Sequence, residues 1–180
     1  MAENHQVQTV CRWTSHGLVL AIVLSILTPI IFWMTNTPFD DIGDYGAASL
    51  LAGHEITLTK RFLGLGITLF PIFFLSIALG KLRFVFGQYA QGQLFEQPAI
   101  DALRSVGLAG IGLVLAQGLA TPLMSLAMTY DFEPGYRTLT VSIGGSPTAL
   151  LGFFAALMFV VLAWVLDEAR QNSEDLAMIV

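Results

Sequence analysis

The side chains in this 180-residue sequence best suited to chemistry are three histidines, one cysteine and a group of acidic residues. His16 and His54 would suit haem or metal ligation if they shared a site. Each precedes one of two successive apolar runs, which places them at opposite membrane interfaces, roughly 25–30 Å apart. His5 lies in the polar N-terminal segment, and all three histidines read as interfacial or solvated polar residues. Cys11 stands five residues from His16, a spacing that does not align two side chains on one helix face, and no third group completes a nucleophilic site. As the sole cysteine it also excludes an internal disulfide. Asp40, Asp41, Asp44, His54 and Glu55 offer oxygen and nitrogen ligands. A hard cation needs several convergent oxygens, and the spacing matches no EF-hand loop, so a solvated acidic face is expected. The phosphate-cradling G-x-x-x-x-G-K-[ST], the zinc-binding H-E-x-x-H and the nucleophilic G-x-S-x-G patterns are absent. No catalytic residue, cofactor or metal site is expected.

The elements that position these residues are four runs free of Asp, Glu, Lys, Arg and His: Gly17–Met34, Phe62–Gly80, Ser105–Tyr130 and Ala149–Leu166. Each approaches or exceeds the roughly 20 helical residues that cross a 30 Å hydrocarbon layer. Apolar residues make up 55% and charged residues 12%, about half the charged share of a soluble domain. Inside lipid every backbone polar group needs an internal partner, which leaves helices or closed barrels. The runs lack the alternating polarity of barrel strands, so they read as helices. The expectation is a single all-α membrane domain over 1–180, a bundle of four transmembrane helices at about 17–34, 60–80, 105–130 and 148–170. Gly46–His54 suits a short interfacial helix. Another is expected between helices 2 and 3, over Gly92–Arg104, with Pro98 in its first turn. Glu55–Thr59 and Thr138–Ile143 alternate in polarity and are expected to pair as a small extracytoplasmic β-ribbon.

Four spans place both termini on one side. That side carries Arg12, Lys81, Arg83, Arg104 and Arg170, against Lys60, Arg61 and Arg137 on the other. The bias predicts N-in and C-in. The net charge of −5 and the scattered Lys/Arg argue against a nucleic-acid surface.

Within the spans, Ala109, Gly112, Ala116 and Ala120 recur at three- or four-residue spacing, the pattern that lets helix backbones approach in lipid. They are expected to pack within the bundle, with a homo-oligomer or partner interface as the sharper alternative. Gln117 is the most polar side chain in any span and is expected to form an interhelical hydrogen bond. Pro29, Pro71 and Pro122 each free a carbonyl four residues earlier, at Ser25, Ile67 and Gly118. Thr28, Gln117, Thr121 and Ser125 would line any cavity that such kinks opened. The spans hold no ionisable group, which argues against a proton-coupled transporter or pump.

Gln88-Tyr89-Ala90-Gln91-Gly92-Gln93-Leu94-Phe95, followed by Ala99, Leu103 and Gly107, resembles a tyrosine–glycine–phenylalanine signature before a third helix. Together with Ala163-Trp164-Val165-Leu166-Asp167-Glu168-Ala169-Arg170, Glu174-Asp175 and the final Val180, it is similar to the bacterial membrane family called domain of unknown function 2975. The resemblance covers most of the chain and is strongest over 80–180. It departs at Leu176-Ala177-Met178-Ile179, where relatives often carry a simpler polar run. It implies four helices in a bacterial inner membrane and brings no established activity. Members are often encoded beside small helix-turn-helix regulators, which implies a regulatory or sequestering role.

The expected function is therefore that of a non-catalytic inner-membrane protein acting through protein–protein contacts. Tyr89, Gly92, Phe95, Asp167 and Glu168 form its candidate docking face. An oligomeric small-molecule channel or transporter, or a stabilising subunit of a larger membrane complex, are the alternatives.

Overall fold

A computed structural model describes residues 2–35, 57–91, 96–132 and 147–179. They form four helices: α1 (Ala2–Met34), α2 (Leu58–Ala90), α3 (Gln97–Thr129) and α4 (Pro147–Ile179). Each has 33 residues, about 50 Å at 1.5 Å per residue. All four are long and apolar enough to cross a membrane, with mean hydropathy of 1.7 to 2.7 over the spanning segments. Among the described residues there is no strand.

The helices outrun the apolar runs because hydrocarbon limits composition, while the helix itself continues until the chain breaks it. α1 begins at Ala2, so the N-terminal polar segment is helical. Glu96, in extended conformation, leads into α3 with Pro98 in the first turn, where its missing N–H costs nothing. From there α3 runs unbroken to Thr129. The expected interfacial helix is thus no separate element: 97–104 are the first two turns of α3, and 92–95 lie outside the described residues. Of the expected β-ribbon, Leu58 and Thr59 are helical, because α2 starts directly after the extended Thr57. The remainder of the ribbon, and the short helix expected at 46–54, lie outside the described residues.

Pro29, Pro71 and Pro122 are each accommodated inside a continuous helix. Hydroxyls are satisfied by carbonyls of their own helix. Thr28 donates to Leu24, Ser76 to Ile72, Ser125 to Pro122 and Thr129 to Ser125, at 2.8–3.0 Å. Such back-bonding hides a polar group that hydrocarbon could not solvate.

Adjacent helices are antiparallel. The end of α1 meets the start of α2 where Trp33 bonds Thr68, and its start meets the end of α2 where Ser15 bonds Arg83. Lys60 of α2 reaches Asp131 just past α3, Phe74 faces Gly112, and Arg104 near the start of α3 reaches Asp167 late in α4. The starts of α1 and α3 and the ends of α2 and α4 therefore share one end of the molecule, called here the terminal end. The other is the distal end.

Extensive packing joins only neighbours in the chain: α1 with α2, α2 with α3, and α3 with α4. Among the described residues no comparable interface joins α1 to α4, so the four helices of the expected bundle are arranged as an open row. Only 11% of the span windows of α1, α2 and α4 is buried, against 28% for the central α3. Leu20, Leu24, Leu27 and Ile31 of α1 and Leu151, Phe154, Met158 and Val165 of α4 are exposed. Lipid tails are as apolar as these side chains, so nothing in a bilayer drives the row to close. Two small clusters hold it. At the distal end Trp33 joins Met124 and Met128, with Phe32, Leu65, Ile67 and Phe132 around them. At the terminal end Ile100 and Leu103 pack on Ala163, flanked by Phe159 and Leu166.

Candidate functional site

Close approach of α3 to both neighbours rests on small residues. A Cβ on Gly107 would lie 2.8 Å from the Ala156 carbonyl oxygen and 2.9 Å from the Val160 nitrogen. One on Gly110 would lie 2.8 Å from the Ala156 Cβ. On the other flank, a Cβ on Gly112 would lie 2.6 Å from the Phe74 ring. Ala109, Ala116 and Ala120 are buried. Gln117 is exposed, on neither packed flank, so it does not serve as the expected interhelical hydrogen bond. The spans are apolar on every side, so sequence periodicity gave no sign of which way this amide would face.

Among the described residues the distal end holds a polar network that joins α1, α2 and the residues just past α3. Lys60 is 1% exposed, and its Nζ lies 2.8 Å from Asp131 Oδ1 and 5.3 Å from the centre of the Phe132 ring. A buried ammonium is tolerated only with such compensation. Arg61 donates from Nη1 to the Trp33 carbonyl at 3.3 Å, placing a cation on the last turn of α1, where the helix dipole favours it. Trp33 donates from Nε1 to Thr68 Oγ1 at 3.2 Å, and Thr68 donates to the Gly64 carbonyl at 2.7 Å. The indole of Trp33 occupies the space a side chain on Gly64 would need. The sequence reading missed this network, since its partners are far apart in the chain and only the tertiary fold brings them together. The one available signal was the Lys60-Arg61 pair at the edge of an apolar run.

At the terminal end Arg104 and Asp167 approach to 3.5 Å, with side-chain exposures of 38% and 20%. The pair fastens the late turns of α4 to the first turns of α3. Asp167 is thus engaged inside the protein, while Glu168 is exposed. Tyr89 packs edge-on against Phe86 within α2, and Gly92 and Phe95 lie outside the described residues. The structure therefore brings Asp167 to α3.

Two open grooves flank the last turns of α2 at this end. One, of about 610 Å³, lies between α2 and α3, and Lys81 and Asp101 are among its lining residues. The other, of about 400 Å³, lies on the α1 side, where Arg83 donates from Nε to Ser15 Oγ at 3.3 Å. Cys11 is a buried free thiol, and His16 is exposed. Among the described residues no three His, Cys, Asp or Glu side chains converge as metal ligands. The acidic loop residues Asp40, Asp41, Asp44 and Glu55, with His54, lie outside the described residues. Set against known proteins, the chain matches no family model, no curated protein and no solved structure.

Proposed function

We propose that this chain is a non-catalytic, multi-pass inner-membrane protein that acts as an accessory or regulator through contacts with other proteins. The observation that carries the reading is the open row. Among the described residues α1 and α4 each pack extensively against one neighbouring helix, which leaves an edge on each for further helices. Close-packed small residues are spent on the internal interfaces, at Gly107, Gly110 and Gly112. The polar terminal end adds a second surface. Arg104 holds Asp167 so that the late turns of α4 stand beside the start of α3. The proposed docking face comprises the tail of α4, with Glu168, the end of α2 with Tyr89, and the connection bearing Gly92 and Phe95.

The Lys/Arg bias supports both termini in the cytoplasm, and the motif resemblance supports a bacterial inner membrane and membership of the uncharacterised family. By the same association the cytoplasmic partner would be a helix-turn-helix regulator. The test is purification in mild detergent of the full chain and of a chain lacking 167–180, with the bound proteins identified. A stoichiometric partner held by the full chain and lost on truncation supports the reading. A partner equally retained by both places the docking face elsewhere.

An oligomeric small-molecule channel is favoured by one observation, the exposed Gln117 about midway along α3, where an amide facing hydrocarbon lacks solvation. Ligand-dependent flux in liposomes, abolished by Gln117→Leu, would select it.

A further inference from the structure

The groove between α2 and α3 at the terminal end is lined by two opposite charges that do not pair. Lys81 and Asp101 both line the same space of about 610 Å³, yet no ion pair forms between them. Among the described residues Lys81 makes no hydrogen bond or ion pair at all. Asp101 accepts one weak bond at Oδ1, from Gln97 Nε2 at 3.3 Å. Exposed ions bordering a common groove would gain by closing on each other. Unpaired with each other, they give the groove one positive and one negative pole.

The depth of the groove matters as much as its charge. Gly80 is the last residue of the uncharged run of α2, and Lys81 is the first charged residue after it. On α3 the uncharged run starts at Ser105, with Asp101 one turn before it. The groove therefore straddles the boundary between hydrocarbon and headgroups. Ile77 and Ala102 line its apolar part, and Ser76 turns its hydroxyl back to the Ile72 carbonyl. Gly80 borders open space, where a Cβ would meet nothing within 4 Å.

We propose that this groove is a binding site for a phospholipid with a primary-amine headgroup, whose phosphate sits on Lys81 and whose ammonium sits on Asp101, with an acyl chain along Ile77. The headgroup carries adjacent negative and positive charges, the complement of the lysine and aspartate. A primary ammonium offers three N–H donors to the carboxylate. A choline headgroup offers none, and a glycerol headgroup brings no positive charge. The apolar part of the lining, continuous with the hydrocarbon, selects a lipid over a free phosphoamine.

The test uses the full chain in mild detergent, exposed to an equimolar mixture of phosphatidylethanolamine, phosphatidylglycerol and phosphatidylcholine with identical acyl chains, with retained lipid counted by native mass spectrometry. The wild type retains the ethanolamine lipid over each of the others by roughly two- to fivefold, the range of one partly exposed ion pair. Asp101→Asn brings the ethanolamine lipid down to the level of the glycerol lipid. Lys81→Gln lowers retention of all three. Arg83→Gln, in the groove on the other flank of α2, leaves the preference intact. Gly80→Leu, which adds bulk in open space, lowers retention without changing either charge and keeps the test valid if a charge variant folds poorly. Equal retention of the three lipids by the wild type, a preference that survives Asp101→Asn, or a preference lost in Arg83→Gln would overturn the proposal.

Discussion

The ion pair at the distal end is unequal, and its two halves should fail differently. Lys60 is 1% exposed and Asp131 39% exposed, at 2.8 Å. At an effective dielectric constant of about 20, Coulomb's law gives about 6 kcal/mol for that separation, an upper bound because water reaches the carboxylate and screens it. Asp131→Ala leaves a buried ammonium whose remaining partner among the described residues is the Phe132 ring, so most of the loss is desolvation that the carboxylate had offset. A cost of about 2–3 kcal/mol is expected, below the 3–5 kcal/mol for a wholly buried pair. Lys60→Met removes the buried charge and keeps the methylene stem. The carboxylate left behind is 39% exposed and keeps its contact with water, so the cost falls to about 1 kcal/mol or less. The double variant Lys60→Met/Asp131→Ala should be more stable than Asp131→Ala alone, because it removes the unpaired cation. Reversible unfolding in mixed micelles, followed by Trp33 fluorescence or far-UV dichroism, measures all three. Equal costs for the two single variants, or a double variant less stable than Asp131→Ala, would refute the argument from burial.

Three other substitutions probe the row itself. Gly107→Ala forces a methyl group against the backbone of Ala156 and Val160, and is expected to cost about 1–3 kcal/mol in the same unfolding assay. Gly66→Ala, with open space around it, should change stability by less than about 0.5 kcal/mol. Gly64→Ala drives the indole of Trp33 from its seat between α1 and α2, so Trp33 emission should shift to the red and its hydrogen bond to Thr68 should be lost. Gln117→Leu should leave the unfolding free energy of the monomer unchanged or slightly raised. A loss of about 1 kcal/mol would show that the amide has an internal partner after all.

The spans were legible because a bilayer imposes a length and forbids charge, and both constraints can be read from Gly17–Met34 or Ala149–Leu166 without knowing any neighbour. Their extent beyond the hydrocarbon was not, since the turns at 2–16 and 97–104 are polar and only the lack of a breaker continues them. Orientation was the least legible property. A helix apolar on all sides carries no stripe to mark its packed face, so Ala109, Ala116 and Ala120, which are buried, could not be separated from Gln117, which is exposed. Two of the glycines that bring α3 and α4 together, Gly107 and Gly110, went unweighted as a packing pair for the same reason. The Lys60–Asp131 contact joins residues 71 positions apart, and no local pattern announces it. At the terminal end, Asp167 and Glu168 looked equivalent in sequence. Only the position of Arg104 assigns the first to internal fastening and leaves the second facing outward.

The claim on which the rest depends is that four antiparallel helices cross the bilayer and place their ends alternately on its two sides. Single cysteines at Thr35, Gln91, Tyr130 and Asn172, all exposed near helix ends, test it in a Cys11→Ser background with a membrane-impermeant maleimide applied to sealed vesicles of known orientation. Labelling should fall into two groups, Thr35 with Tyr130 from one side and Gln91 with Asn172 from the other. Labelling of Thr35 and Gln91 from the same side, or of all four positions from one side, would contradict the account.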